Sequence, residues 1–198
     1  MLQSIEELEK SLSRLPGFGR KSAARAALSL VKDRERLLRP LVKALVDAER
    51  DVRLCSLCGS FTDALTDPCS ICSSSSRDKT FICVVEDPCD IVSIESSGAF
   101  NGLYHSLGGK ISPSHRKGPD KIRIAELAER VAKEGFREVL LALSTDMDGD
   151  ATASYIAEIL KPSHVKVTRL AFGLPADSGI SYSDPLTIKR AVFGRMGV

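Results

Sequence analysis

Two closely spaced cysteine pairs constrain the fold of this chain more than any other feature of its sequence. Cys55 and Cys58 form one Cys-x-x-Cys pair, and Cys69 and Cys72 form a second pair after ten intervening residues. Each pair fits a tight turn, and a short loop or ribbon between them can bring all four sulfurs onto one tetrahedral Zn²⁺. Four thiolates leave no open coordination position, so the pattern predicts a structural zinc site. Two disulfides or a redox-active Cys-x-x-Cys are the alternatives.

The composition is that of a soluble globular protein, with 43% hydrophobic and 27% charged residues. No apolar run reaches membrane-spanning length and no secretory signal is evident, so the sequence predicts a cytoplasmic location and no membrane partner. Cys83 and Cys89 lie outside the two pairs, and free thiols are typical of a reducing cytosol. Residues 1–54 contain 12 Lys and Arg against 8 Asp and Glu. This basic excess indicates a polyanion as the partner of the N-terminal part.

A Pro-Gly-Phe-Gly turn at residues 16–19 separates two helical patterns. Apolar spacing predicts a first helix that ends at Leu15, and an alanine-rich second helix is predicted over about 21–32. Backbone N–H groups of such a turn, at a helix N-terminus, can hold a phosphate, and two cations on one face of the second helix can reach neighbouring phosphates. The residues predicted to contact a DNA backbone are Gly17, Gly19, Lys21 and Arg25.

Three further expectations concern this N-terminal region. Phe18 is expected to fill the gap between the two helices, and residues 33–54 are predicted to continue as another amphipathic helix. An ordinary helix–turn–helix corner with solvated charges is the alternative to a DNA site, and a pure self-association element is a third interpretation.

After a polar connector at 73–79, strand and helix patterns alternate. Strands are predicted at 80–86, 103–107, 138–143 and 165–171, and helices at 122–134, at 150–160 and from residue 87 onward. Repeated βα units with apolar strands predict an α/β fold with a largely parallel sheet covered on both faces. The loop at 108–120, with Arg116 and Lys117 at its centre, is predicted to be exposed.

Acidic residues follow two of the predicted strands. Glu86 closes the first of them, and Asp146, Asp148 and Asp150 come after the strand at 138–143. Because the carboxyl ends of parallel strands form the ligand crevice of open α/β sheets, these carboxylates could converge on Mg²⁺. The alternative is that they are helix caps and solvated loop acids, with Asp150 in particular capping its helix.

Four motifs carry a family resemblance through their order. They are Leu-Pro-Gly-Phe-Gly-Arg-Lys-Ser-Ala at 15–23, the four cysteines, Phe-Ile-Cys-Val-Val-Glu at 81–86 and Gly-Asp-Ala-Thr-Ala-Ser-Tyr-Ile-Ala at 149–157. This order resembles the RecR family of bacterial recombination mediators, and the resemblance covers essentially the whole chain. It implies a helix-hairpin-helix DNA-binding region at 1–54, a four-cysteine zinc segment at 55–72, a Toprim domain at 80–172 and a C-terminal assembly segment at 173–198.

The resemblance also implies a function. Members of this family bind single-stranded, double-stranded or gapped DNA, work with RecO and RecF, and help a recombinase replace single-strand-binding protein at gaps. They are homo-oligomers, either dimers or tetrameric rings, and act with the nucleoid in the cytoplasm. Lys21 and Arg25 fall on the family's DNA-contacting positions. The resemblance therefore implies a non-enzymatic mediator of recombinational DNA repair.

This chain departs from related sequences at several positions. Catalytic Toprim enzymes carry Asp-x-Asp after the later strand, whereas Ser144 stands at the first of these positions and Asp146 at the second. The missing ligand argues against nucleotidyl transfer, and the alternative function is a small Toprim-type metal-dependent nuclease that uses Glu86, Asp146 and Asp148. Ala176-Asp177 departs from the small-residue pattern of the C-terminal segment. The chain has three tyrosines, and each is expected to be a packing residue: Tyr104, Tyr155 and Tyr182.

Overall fold

The computed structural model describes residues 2–171 and 180–194. The chain divides into two compact units, residues 1–52 and residues 53–198, and each is described by itself. Within the described ranges, no helix is both long and apolar enough to cross a lipid bilayer.

The first unit is helical. It consists of α1 (Gln3–Leu12), α2 (Arg20–Lys32), a π-helical turn (Arg34–Leu38) and α3 (Arg39–Asp51). Helices α1 and α2 pack against each other where the small side chains of Ala23 and Ala27 are fully buried. Alanine at both positions lets the two backbones approach closely.

Three details of this unit differ from the sequence predictions. Helix α1 ends at Leu12 rather than Leu15, because a hydrogen-bonded turn precedes Pro16. A π-helical turn interrupts the region predicted as one helix over 33–54. Phe18 is 38% exposed, so it can fill the gap between the helices only in part, whereas Ala23 and Ala27 of α2 are fully buried.

The second unit contains a four-stranded parallel sheet. Its strands are β3 (Asp78–Val85), β4 (Gly102–Ser106), β5 (Glu138–Ala142) and β6 (Lys166–Arg169), in the order β4-β3-β5-β6. The helices α5 (Pro88–Ser97), α6 (Ile124–Glu134) and α7 (Met147–Leu160) connect the strands, and α8 (Pro185–Phe193) follows. A two-stranded sheet of β1 (Val52–Leu54) and β2 (Phe61–Asp63) and the short helix α4 (Ser70–Ser73) precede them. The predicted α/β class with a largely parallel sheet is confirmed.

The alternation of side chains along β3 explains how the sheet is covered. Ile82 and Val84 belong to one buried cluster, which also contains residues of α6 and α7. Cys83 and Val85 belong to a second cluster with Ile91 of α5 and three of the paired cysteines. Successive residues of a strand point to opposite faces, so each cluster covers one face of the sheet. The cysteine segment is therefore part of the core of this unit.

The carboxyl ends of the strands meet at one edge. Val85 of β3 is in register with Ser106 of β4 and with Ala142 of β5, so the residues that follow these strands come close together. Asp146 caps α7 by accepting a 2.8 Å hydrogen bond from Gly149 N. The prediction that Asp150 caps this helix is wrong, because α7 begins earlier.

The predicted C-terminal assembly segment, 173–198, is described only over 180–194. Ala176 and Asp177 lie outside the described residues, as does the side chain of Tyr182.

Buried His105 on β4 leads to a prediction about pH. It is fully buried, its Nε2 donates a 2.8 Å hydrogen bond to Arg123 O, and burial lowers its pKa from 6.5 to about 4. In the unfolded chain the imidazole of His105 therefore binds a proton as the pH falls below 6.5. In the folded chain it stays neutral until about pH 4. The free energy of unfolding should fall over this window by about 3 kcal/mol, with no further loss from this group below it.

Urea unfolding at several pH values checks this prediction. In a His105→Gln variant the amide can still donate to Arg123 O but does not titrate, so the stability should fall less steeply between pH 6.5 and 4. Equal slopes in the two proteins would contradict the assignment.

Candidate metal centre and nucleic-acid interface

The four paired cysteines lie together. Their Sγ atoms are all within 4.8 Å of one another, and those of Cys58 and Cys69 are 3.5 Å apart. A tetrahedral ion with metal–sulfur bonds of about 2.3 Å requires sulfurs roughly 3.8 Å apart, so the cluster is close to the spacing that metal binding needs. Cys55, Cys58 and Cys69 are buried and Cys72 is half-buried. The donor set and its geometry can hold a metal ion.

Backbone N–H groups donate hydrogen bonds to both sulfurs of the first cysteine pair, an arrangement that suits anionic sulfur. Ser60 N lies 3.4 Å from the Cys58 sulfur and Cys69 N lies 3.3 Å from the Cys55 sulfur, and both N–H groups donate. Gly59 has φ +72°, and a Cβ at this position would collide with the guanidinium of Arg123. The positive φ therefore favours glycine here, and any larger residue would also displace the Arg123 guanidinium.

Residues distant in sequence hold the cysteine segment in place. Asp67 accepts hydrogen bonds from Ser56 N at 2.9 Å and from Ser56 Oγ at 3.0 Å, which ties the two turns together. Arg123 Nη2 donates to Ser56 O and Leu57 O, each at 3.1 Å. Ser106 N at the end of β4 donates to Cys58 O at 2.7 Å. Neither contact was predicted from the sequence. Asp67 lies 11 residues from Ser56, and Arg123 is more than 60 residues from the turn that it holds.

The thiols are electrostatically coupled. Hydrogen bonding by the Cys72 thiol lowers the pKa of Cys58 to about 5, and the same hydrogen bond raises the pKa of Cys72. Burial raises the pKa of Cys69 to about 11. Protein groups alone therefore favour one thiolate in this cluster, whereas a bound dication stabilises all four. Such an ion would supply rigidity and no reaction site, since four sulfurs complete its coordination.

In the first unit, the turn at 16–19 leaves the start of α2 open. Gly17 has φ +81° and Gly19 is the N-cap of α2, where no side chain caps the helix. A Cβ at Gly17 would meet no atom within 4 Å. The N–H groups of the first turn of α2 and the positive end of its dipole therefore have no side-chain cap, an arrangement that can bind phosphate.

Two cations lie on α2 near this opening. Lys21 and Arg25 are exposed and are four residues apart, and neither makes an ion pair or a side-chain hydrogen bond within the described part of the chain. On α3 and the preceding turn the situation differs, since Lys43 is paired with Asp47 at 3.1 Å and Arg39 with Glu35 at 2.6 Å. The charge of α2 is thus available to an external anion, whereas much of the charge of α3 is neutralised.

Two of the three carboxylates predicted to share Mg²⁺ have other partners. Glu86 Oε1 accepts a 2.6 Å hydrogen bond from Ser144 N, and Asp146 caps α7 and pairs with Lys110. In the part of the chain with described coordinates, the four cysteines form the only group of three or more acidic, histidine or cysteine residues close enough to hold a metal. Asp148 does not join Glu86 and Asp146 in such a group.

Lys110 is the residue at this edge that the sequence analysis missed. Its Nζ donates a 2.9 Å hydrogen bond to Ser144 Oγ and a hydrogen bond to Asp146, and it lies 3.7 Å from Glu86 Oε2. The hydrogen bond from Lys110 lowers the pKa of Asp146 to about 2, and the same bond raises the pKa of Lys110. Lys110 belongs to the basic loop at 108–120, at the N-terminal side of Arg116 and Lys117.

Comparison with known proteins agrees with this geometry. A family model described as "RecR, helix-hairpin-helix" matches residues 5–49, and one described as "Toprim domain" matches residues 80–171. The chain is 44% identical to the "Recombination protein RecR" of Desulfatibacillum aliphaticivorans over 192 residues, which cover 97% of this chain and 96% of that relative. It is also 44% identical over 189 residues to the protein of the same name from Desulfosudis oleivorans, with coverage of 96% and 94%. With its open hairpin turn, its four-cysteine cluster and its parallel Toprim sheet, the chain belongs to the RecR family.

Proposed function

We propose that this protein is a non-enzymatic recombination mediator that binds DNA at single-strand gaps and helps a recombinase replace single-strand-binding protein. One observation carries the proposal: the uncapped start of α2, with exposed and unpaired Lys21 and Arg25, in a member of the RecR family. The relatives' name, recombination protein, supports the same role.

DNA binding follows from the chemistry of this turn. Backbone N–H groups of the turn containing Gly17 and Gly19 hold one phosphate, and Lys21 and Arg25 neutralise neighbouring phosphates along the strand. None of these groups reads a base edge, so the binding is independent of sequence and depends on salt. A mediator that acts at gaps wherever they arise needs this kind of binding.

Zinc is the metal that we assign to the cysteine cluster. Four thiolates in a tetrahedral arrangement are the usual ligand set of structural Zn²⁺. The cluster lies in the core beside Cys83 and Val85 of β3, so the metal stabilises the sheet as well as the cysteine turns. Zinc has a structural role in this proposal and takes part in no reaction.

The edge of the Toprim sheet supports a role without strand cleavage. Phosphoryl transfer in metal-dependent nucleases needs divalent ions held by carboxylates. Here Glu86 and Asp146 bind Lys110, and Ser144 stands where catalytic Toprim enzymes have an acid. The proposed role of this domain is to dock other proteins, with RecO and RecF as the partners.

Self-association is part of the proposal. Helix α3 has no buried residue, and Leu41, Val42, Leu45 and Val46 are exposed along one face of it. An apolar face of this kind on a soluble protein is typical of a protein interface. We propose that the protein acts as a homo-oligomer, a dimer or a tetrameric ring, on the nucleoid in the cytoplasm.

A recombinase-loading assay tests the proposed function. Gapped DNA coated with single-strand-binding protein is incubated with recombinase, ATP and RecO, with or without this protein, and recombinase ATPase activity reports filament formation. The protein should shorten the lag before ATP hydrolysis begins. An unchanged lag, at concentrations at which the protein binds the same DNA without the coat, would contradict the mediator role.

A further inference from the structure

The ammonium group of Lys110 lies among oxygen atoms at the carboxyl edge of the Toprim sheet. It donates to Ser144 Oγ at 2.9 Å and to Asp146 Oδ2, and it is 3.7 Å from Glu86 Oε2. The side chains of Lys110 and Glu86 are 26% and 19% exposed, whereas that of Asp146 is 55% exposed, so the group is shielded from solvent mainly around Glu86. These atoms come from three segments that follow β3, β4 and β5.

The position of Lys110 is fixed on both sides of the residue. Gly109 N donates to Glu86 O at 2.7 Å, and Ile111 N donates to Thr152 Oγ1 of α7 at 2.9 Å. The backbone that carries Lys110 is therefore bound to the segment after β3 and to α7. The backbone at Lys110 is thus already ordered by folding, and only the side chain has to be ordered for the ion pairs to form.

The acceptors are also held in place. Glu86 Oε1 accepts from Ser144 N at 2.6 Å, and Asp146 Oδ1 accepts from Gly149 N at 2.8 Å. The second oxygen of each carboxylate is the one that faces Lys110 Nζ. In each carboxylate, one oxygen therefore accepts a hydrogen bond from a backbone N–H, and the other lies next to the ammonium of Lys110.

We propose that Lys110 is a tethered cation that occupies the carboxylate edge of this Toprim domain and thereby keeps divalent cations from binding there. Carboxylate oxygens are the ligands that Mg²⁺ and Mn²⁺ prefer, and these ions bind proteins through as few as one or two carboxylates and several waters. A dication near Glu86 and Asp146 would have to displace the ammonium or lie beside it against charge repulsion. Lys110 is part of the chain, so its effective concentration at this position is high.

This inference does not depend on DNA binding, because its test contains no DNA. The full-length, zinc-loaded protein is titrated with Mn²⁺ at neutral pH, and electron paramagnetic resonance measures the free ion. The wild-type protein should bind Mn²⁺ weakly at most. Lys110→Met, which keeps the length of the side chain and removes its charge, should bind one Mn²⁺ at least about tenfold more tightly.

Three variants identify the site. Lys110→Arg keeps the charge and should resemble the wild type, and adding Asp146→Asn to Lys110→Met should abolish the gain. Lys121→Met removes a cation that directly follows this loop and is paired with Asp120 at 3.5 Å, and the variant should bind no more Mn²⁺ than the wild type.

Two results would overturn the proposal. One is a folded Lys110→Met protein, with native near-ultraviolet circular dichroism, that binds Mn²⁺ no better than the wild type. The other needs no Lys110 variant: tight binding of one Mn²⁺ by the wild-type protein that Asp146→Asn abolishes would show that Lys110 does not exclude the ion.

Discussion

A Cys58→Ser variant is expected to lose its bound metal and to unfold at a much lower denaturant concentration than the wild type. Cys58 is fully buried, and its sulfur accepts from Ser60 N and lies 3.5 Å from the Cys69 sulfur. Serine cannot supply a thiolate, so the tetrahedral set falls to three ligands. Structural zinc contributes about 10–16 kcal/mol of apparent binding free energy in small zinc domains, and even a fraction of this is large against the total stability of a typical domain.

The effect should reach beyond the cysteine turns. Cys58 belongs to the same buried cluster as Tyr104 of β4 and Ile91 of α5, and its carbonyl accepts the hydrogen bond from Ser106 N. Loss of order at the cysteine turns therefore removes part of the packing on one face of the sheet and exposes the apolar side chains of that face. The midpoint of urea unfolding should fall, and the unfolding transition should broaden if the sheet loses cooperativity.

Cys89→Ser is the matched control. Cys89 is exposed on α5 and lies outside the cluster, so its replacement should leave both metal content and stability unchanged. The measurements are zinc content by elemental analysis and urea unfolding followed by circular dichroism. A Cys58→Ser protein with one zinc per chain and a wild-type unfolding midpoint would contradict the structural role of the cluster.

A double variant, Lys21→Ala with Arg25→Ala, is expected to bind DNA more weakly for every sequence and with a smaller dependence on salt. Each phosphate contact that is lost removes about 0.9 from the slope of log K against log salt for double-stranded DNA, so the slope should fall by about two units. The affinity should fall to the same extent on GC-rich and AT-rich duplexes, because neither side chain reads bases.

Lys43→Ala provides the control for net charge. Lys43 lies on α3 of the same unit and is exposed, but its ammonium is already paired with Asp47. Its removal should change the slope by much less than either replacement on α2. Binding measured by fluorescence anisotropy between about 50 and 200 mM salt compares the proteins. A double variant with the wild-type slope would place the DNA site elsewhere, with the loop that carries exposed Arg116 and half-buried Lys117 as the next region to test.

Local patterns predicted much of this fold. The Cys-x-x-Cys spacing predicted a cluster that the structure brings together, and apolar runs predicted the four strands of the parallel sheet to within two residues at each end. These predictions succeed because tight turns and buried strands are set by residues that are neighbours in sequence. The open turn before α2 was predictable for the same reason, since Gly17 and Gly19 lie within it.

Contacts between distant segments were not predictable in this way. Arg123 is more than 60 residues from the cysteine turn that it holds, and Lys110 is 36 residues from Asp146. The acidic residues after β3 and β5 were predicted to share Mg²⁺, because side chains that follow neighbouring parallel strands lie close together. This rule does not say which cation lies beside them, and in the structure it is the ammonium of Lys110. Asp146 rather than Asp150 caps α7, because the helix begins at Met147, three residues before its predicted start.

The most direct test of the proposed function is the fate of a 5′-labelled gapped duplex incubated with the zinc-loaded protein and Mg²⁺ at low salt. Binding is read on a native gel and strand integrity on a denaturing gel of the same samples. We predict a retarded complex in which every strand keeps its full length. Strands cleaved by the wild-type protein but not by Asp146→Asn, or DNA that remains unbound at low ionic strength, would contradict a mediator that holds DNA without cutting it.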